Sequence, residues 1–267
     1  MTMDLGFVGK TALVTGAGSQ VGFGKQIAML LAAEGIDAVV VSDVDADGIE
    51  KTAQALRTAG CRSTALQADI TDNAAVKAMV GKAVDEYGRI DILCNVAGAI
   101  LHADGVPIDE QDPAVWERQL RLNVIGTMNV SQAVVPVMRA NRSGAIVNIG
   151  SGSTHAYAMG VSSYAMSKYA LDLFTKQLAF VEACNGIRVN CVAPGPAETN
   201  FAGLLKDNPD VTPEEAERMR QEMLGHFPLG RICTPWDVAT ATVFLVSEPA
   251  SGHITGQVLH VSGGSVI

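Results

Sequence analysis

The chain has 267 residues, 48% of them hydrophobic and 18% charged, with a formal net charge of −9. That length and apolar fraction suit a packed core and exclude a disordered chain, while the acidic balance speaks against a nucleic-acid binder, which needs a basic face. No apolar run reaches the roughly eighteen residues of a membrane span, the N-terminus has no signal-peptide pattern, and five scattered cysteines without a C-x-x-C read as reduced thiols of a cytoplasmic protein.

Short β-branched runs alternate with longer helical stretches. "TALVTG" (11–16) predicts a strand, and "GKQIAMLLAAEG" (24–35) a helix with Ile27, Leu30 and Leu31 on one face and Gly35 as its stop. "DAVVVSD" (37–43) is the next strand, followed by a helix over "DGIEKTAQALRTAG" (47–60). "STALQADI" (63–70) and "RIDILCNVAG" (89–98) are strands on either side of the helix "NAAVKAMVGKAVDEYG" (73–88). Asp112-Pro113 supplies an N-cap and an N1 proline for a single long helix through Arg139. The strand "GAIVNIGS" (144–151), a helix over 162–184 and the strand "GIRVNCVAPG" (186–195) follow. Thr212-Pro213-Glu214-Glu215 and Thr234-Pro235-Trp236-Asp237 each join a capping threonine, an N1 proline and an acid at N3. "GQVLHVSGG" (256–264) closes the chain as a final strand.

Strands that are apolar throughout are those buried on both faces of a parallel sheet, and the intervening helices make its crossovers. The expectation is a three-layer, doubly wound α/β fold in a single domain spanning 1–267. Residues 196–230, which follow a strand's carboxyl end and break the alternation, are expected to form a substrate lid.

Ligands of such sheets sit beyond the carboxyl ends of the strands. There lies "TGAGSQVGFG" (15–24), whose Gly16, Gly18 and Gly22 miss the G-x-G-x-x-G spacing by one residue. Glycines let backbone N–H groups approach a phosphate, and a helix N-terminus favours the negative charge; the same stretch also reads as a plain turn. Asp43 ends the second strand, where a carboxylate accepts hydrogen bonds from ribose hydroxyls and repels a 2′-phosphate, or simply faces water. Lys25 is the nearest cation, so NAD is favoured over NADP.

Tyr164 and Lys168 in "SYAMSK" stand at i and i+4, on one helix face. A nearby ammonium would lower the phenol pKa from near 10 and let it exchange a proton with an alcohol or carbonyl oxygen. Ser151, at the end of the preceding strand, can bond the same oxygen. Asn123, in "RLNVIG", is polar on an otherwise apolar helical face, where it satisfies a backbone group or holds a relay water.

Together these motifs resemble the short-chain dehydrogenase/reductase family over essentially the whole chain. The resemblance rests on the glycine loop, "ADI" (68–70), "NVAG" (95–98), "LNVIG" around Asn123, Ser151, the Tyr164/Lys168 pair and "PGPAET" (194–199). It implies a Rossmann fold with a seven-stranded parallel sheet, and hydride transfer between a nicotinamide cofactor and a secondary alcohol or ketone. It also implies roles: Tyr164 as acid/base, Lys168 on the nicotinamide ribose, Ser151 on the substrate oxygen and Asn123 in a proton relay. Asp69 and Ile70 would border the adenine, Asn95 and Ala97 the middle of the cofactor, and Pro194, Gly195, Ala197 and Thr199 the nicotinamide. Against the family's T-G-x-x-x-G-x-G, Gln20-Val21 reads as a two-residue insertion that bulges outward or crowds the adenosine. Gly16, Gly22 and Gly24 are then the working glycines, with Ser19, Gln20 and Phe23 beside the pyrophosphate.

Ser153, His155, Tyr157, Phe201, Leu204 and Leu205, with His102 and Phe227, are expected to wall a mostly apolar substrate cavity for a medium-sized hydrophobic or cyclic alcohol. No metal site is expected, and the resemblance suggests a homotetramer. Two alternatives stay open. One is a 3-oxoacyl thioester reductase using NADPH, against which Asp43 and the acidic balance count; the other is a catalytically silent NAD-binding sensor or structural subunit. The enoyl-reductase subgroup uses a longer tyrosine-to-lysine spacing than this chain has.

Overall fold

Strand β1 (Thr11–Thr15) is buried at every position, and its alternate residues feed two different cores. Ala12 and Val14 face one, Leu13 the other; in β2 (Ala38–Asp43), Val39 and Val41 take the first side and Val40 the second. A strand with both faces covered must be apolar along its whole length, which is why these runs do not alternate with polar residues. The sheet adds β3 (Arg62–Gln67), β4 (Ile92–Asn95), β5 (Gly144–Ile149), β6 (Ile187–Pro194) and β7 (Val258–Val261). All pairings are parallel, in the order β3-β2-β1-β4-β5-β6-β7. The order reverses between β1 and β4, so the crevice beyond their carboxyl ends is where this topology places a ligand.

These elements come from a computed structural model, which describes residues 4–101, 107–155, 162–197, 212, 218, 224–225 and 227–266. The first core lies under α1 (Phe23–Ala33) and α2 (Ala46–Thr58), through Ile27, Leu31, Ile49 and Leu56. The second lies under α3 (Asn73–Tyr87), through Val76 and Val80. Each such side chain, fully buried, stabilises the fold by about 1.5–3 kcal/mol. Asp45 and Asp72 cap α2 and α3 through their carboxylates, and Gly88 ends α3 in the left-handed conformation.

The single helix expected from Pro113 to Arg139 is interrupted. α4 (Pro113–Leu120) passes into a π-turn over Arg121–Gly126 before α5 (Thr127–Asn141) begins. The turn draws Asn123 inward onto the backbone of Ala99, and Gly126 closes against Ile70: a Cβ at Gly126 would lie 2.6 Å from Ile70 Cδ1. Such turns insert one extra residue and recur at functional sites.

Beyond β5, α6 (Ser162–Glu182) packs on β6, and α7 (Pro235–Val246) returns against α1 and the sheet. The capping box read at Thr234 is formed: Asp237 N donates to Thr234 Oγ1 and Thr234 N to Asp237 Oδ2. Only Thr212 of the other capping sequence falls among the described residues, and of the expected lid only 196–197, 212, 218, 224–225 and 227–230 do. Short helix α8 (Glu248–Ser251) is tied to β6 by the buried Arg188, which donates to Ser251 Oγ, to the carbonyls of Leu245, Val246 and Ile254, and to Glu248.

Candidate active site

The glycine loop leaves β1 at Gly16, whose φ of +67° favours glycine. A Cβ there would meet Ala97 N at 2.6 Å, so the loop lies directly against the end of β4. Thr15 Oγ1 accepts from the N–H groups of both Val96 and Ala97, fixing that junction. Gly24 sits in the first turn of α1, and a Cβ on it would lie 2.3 Å from the Gly16 carbonyl oxygen. No side chain caps α1 at Gly22, which leaves its first N–H groups, including those of Phe23 and Gly24, aimed at the loop without intrahelical partners. Phe23 itself packs its ring against the core.

Gln20 is held by hydrogen bonds at the loop. Its amide nitrogen donates to Gly18 O (2.8 Å), Gly48 O (3.0 Å) and Thr52 Oγ1 (3.3 Å), and its oxygen accepts from Lys25 Nζ (2.7 Å). The side chain therefore clasps the loop to α2, while Gln20 and Val21 both stay exposed at the surface. Ser19 packs behind Gly22 and accepts its N–H on the backbone oxygen. Asp43 Oδ2 accepts from Gly18 N at 3.0 Å and Oδ1 from Asp45 N, placing its carboxylate at the mouth of the loop.

Asp69 is exposed beyond β3 and accepts from Thr71 N. Ile70 is buried beneath Gly126, and its carbonyl accepts from Asn129. Asn95 turns its side chain into the interior, its amide nitrogen donating to Ser131 Oγ and Asn148 Oδ1 while its Oδ1 is buried without a hydrogen-bond partner. Pro194 and Gly195 end β6, with Gly195 N bonded to Val261 O, and Ala197 bridges to Cys233. Thr199 lies outside the described residues.

At the end of β5 the chemical groups converge. Ser151 begins a short turn in which Ser153 N donates to its hydroxyl. Ser151 also hydrogen-bonds the Tyr164 phenol, which favours the ionised phenol. Lys168 is buried, with its ammonium donating to Ile149 O at 2.8 Å and lying 5.7 Å from the Tyr164 ring centre. Asn123 is 1% exposed; its oxygen accepts from Ala99 N, and its amide donates to Ala99 O and Ser167 Oγ. A Cβ at Gly98 would lie 2.8 Å from Asn123 Oδ1 and 3.2 Å from Lys168 Nζ, so the two side chains share one small space below the NVAG segment.

Burial pushes the Tyr164 phenol above its ordinary value, and the Ser151 hydrogen bond opposes this. The Lys168 ammonium is directed at Ile149 O, and burial lowers Lys168 itself to about 8.

Of the expected substrate wall, Ser153 and His155 follow Ser151 directly. Ser153 Oγ is buried without a hydrogen-bond partner, and the exposed His155 pairs Nδ1 with Thr154 Oγ1 and meets the His260 ring edge-on at 4.8 Å. His260 was not expected here from sequence; it reaches His155 because β7 lies beside β6. Phe227 is buried against Gly195 and Gly263, beside the ends of β6 and β7. His102, Tyr157, Phe201, Leu204 and Leu205 lie outside the described residues.

A dinucleotide fits this site on the structure's own terms: a glycine loop packed so closely on the end of β4 and the start of α1 that Gly16 and Gly24 have no room for a Cβ, a helix N-terminus without a side-chain cap, and a carboxylate at the loop mouth. A family model described as Enoyl-(Acyl carrier protein) reductase matches residues 16–265. A cis-4-hydroxycyclohexanecarboxylate dehydrogenase of Sinomonas cyclohexanicum is 38% identical over 263 residues, 98% of each chain. A 3-oxoacyl-acyl-carrier-protein reductase, FabG, of Thermotoga maritima is 36% identical over 259 residues, 97% of this chain and 98% of its own. The solved structure of a 7 alpha-hydroxysteroid dehydrogenase with NADH and 7-oxo glycochenodeoxycholic acid is similar at a TM-score of 0.89 and 35% identity, covering 100% of this chain and 98% of that one. The chain belongs to the short-chain dehydrogenase/reductase family of oxidoreductases.

Proposed function

We propose that this protein is an NAD-dependent dehydrogenase that interconverts a secondary alcohol and a ketone, on a medium-sized hydrophobic or cyclic substrate. The observation that carries this reading is the convergence of Ser151, Tyr164 and Lys168 at the carboxyl end of β5, beside the glycine loop. Gly16, Gly24 and the N-terminus of α1 would hold the pyrophosphate, Asp43 the adenosine ribose, and Lys168 the nicotinamide ribose. A bound nicotinamide cofactor supplies the acceptor or donor of the hydride. Ser151 fixes the substrate oxygen, and Tyr164 removes its proton in oxidation or returns it in reduction. Asn123, held rigidly on Ala99, lines the path by which that proton reaches solvent.

NAD is preferred because the carboxylate of Asp43 at the loop mouth would repel a 2′-phosphate, while Lys25, the nearby cation, is tied to Gln20. The fused-ring ligand of the similar hydroxysteroid dehydrogenase and the six-membered ring in the name of the cyclohexane relative support a cyclic substrate. The test is to follow NADH absorbance with NAD+ and a panel of hydroxysteroids, hydroxycyclohexane acids and linear secondary alcohols. Turnover of cyclic alcohols is expected. Turnover of 3-oxoacyl thioesters with NADPH alone would replace this reading by the one the Thermotoga maritima relative favours.

The same reading includes a homotetramer in the cytoplasm. Met166, Tyr169, Leu173 and Phe180 form an exposed apolar stripe along α6, continued by Ile125 and Met128, and Phe180 is 85% exposed. A stripe of that length supports burial against another copy. Four buried free cysteines, with Cys184 exposed, support a reducing compartment.

A further inference from the structure

Asp172 lies one helical turn beyond Lys168 on α6, facing the sheet, and the two are 6% and 5% exposed. Its Oδ1 accepts the Cys191 Sγ–H at 3.5 Å and would lie 3.2 Å from a Cβ on Gly150. The Lys168 ammonium is bonded to Ile149 O, so cation and carboxylate sit at successive peptide units where β5 ends. They form no contact ion pair among the described residues; the carboxylate acts on the ammonium through space, from one helical turn away. A buried ammonium with no negative charge nearby gives up its proton. Burial already lowers Lys168 to about 8; Cys191 and Asp172 oppose this, and of the two Asp172 is the carboxylate.

The groups around Asp172 hold it there. Besides Cys191 from β6, they are Thr154 and His155 from the turn after β5, with His260 of β7 against His155, and Lys176 on α6 itself. Burial pushes the Cys191 thiol well up, so it is a neutral donor and not a second anion.

We propose that Asp172 is a positioning residue for Lys168, its buried carboxylate supplying the negative charge that keeps the ammonium in place at the end of β5. This rests on the reading of Lys168 as the residue that holds the nicotinamide ribose beside Tyr164. Asp172 touches neither substrate nor cofactor; it acts on the pH range over which Lys168 remains charged.

The test is a lysine ¹³Cε NMR titration of the cofactor-free protein, with the Lys168 resonance assigned from Lys168→Arg, run beside the pH profile of kcat/KM. Asp172→Asn is expected to lower the Lys168 midpoint by about one pH unit, the size of a nearby buried charge. The alkaline limb of kcat/KM should move down with it, and Asp172→Glu should restore both. Asp172→Ser, smaller and neutral, reads the same charge deletion if the asparagine variant does not fold. An unchanged Lys168 midpoint, or a uniform loss of activity with no displacement of the limb, would overturn the proposal. A displaced midpoint in a protein whose wild type oxidises no alcohol would support the charge pairing and overturn the reaction instead.

Discussion

Gly16 and Gly24 meet backbone to backbone, eight positions apart in sequence, with 2.3 Å between the Gly16 carbonyl oxygen and the point where a Gly24 side chain would begin. The contact sets how closely α1 approaches the end of β1, and so where its free N–H groups point. Gly24→Ala must push the helix off the loop, because the obstacle is backbone and cannot rotate away. Urea unfolding should show a loss of about 2–3 kcal/mol, and NADH affinity by fluorescence titration should fall at least tenfold. A variant that binds NADH normally would show that Gly24 is not part of the cradle.

Gln20 ties the loop to α2 through Gly18, Gly48 and Thr52. Gln20→Ala removes those bonds and releases Lys25. Stability should fall by about 1 kcal/mol and NADH affinity a few-fold, with NADPH losing less than NADH. Equal losses for the two cofactors would mean that the clasp has no part in selecting between them.

The loop shows what the sequence does and does not carry. Its glycines, the capping box at Thr234 and the apolar strands are local signals, and each is found where its spacing puts it. The Gln20 clasp is not legible in the loop, because its partners, Gly48 and Thr52, are distant in sequence and come near only when β2 pairs beside β1. The π-turn at Asn123 was invisible for a similar reason: a helical apolar pattern continues on both sides of it, and the inward pull on Asn123 comes from Ala99 on a different element. The Tyr164 and Lys168 spacing told that both share a helix face, but not that the ammonium turns to Ile149 O. Asp172 and Cys191 met only through the packing of α6 on β6.

Asp43→Ser removes the carboxylate at the loop mouth and its bond from Gly18 N. Paired titrations should show NADH binding weakened about tenfold and the NADH-to-NADPH affinity ratio reduced by about tenfold or more. An unchanged ratio would place the selection elsewhere.

Lys168 carries a cost in stability. Its value drops from 10.5 to about 8 on burial, on the order of 3 kcal/mol. Between those two pH values the unfolded chain binds more protons than the folded one, so stability rises with pH across that window. The deficit is present in full below about pH 8 and is gone above about 10.5. Lys168→Met should therefore be more stable than wild type in urea at pH 7, with a smaller advantage at pH 9.5, while losing turnover. A destabilised variant at pH 7 would contradict the burial cost.

The central claim is that the Tyr164 phenol moves the proton when alcohol and ketone interconvert. Tyr164→Phe keeps the ring and removes that one group, so the most direct measurement compares kcat for a cyclic secondary alcohol with the NADH dissociation constant in the same preparation. The expected result is a kcat reduced about a thousandfold or more, with NADH affinity within about twofold of wild type. Turnover retained by Tyr164→Phe, or a wild-type chain that binds NADH but oxidises nothing, would contradict the account and favour a protein that only senses its cofactor.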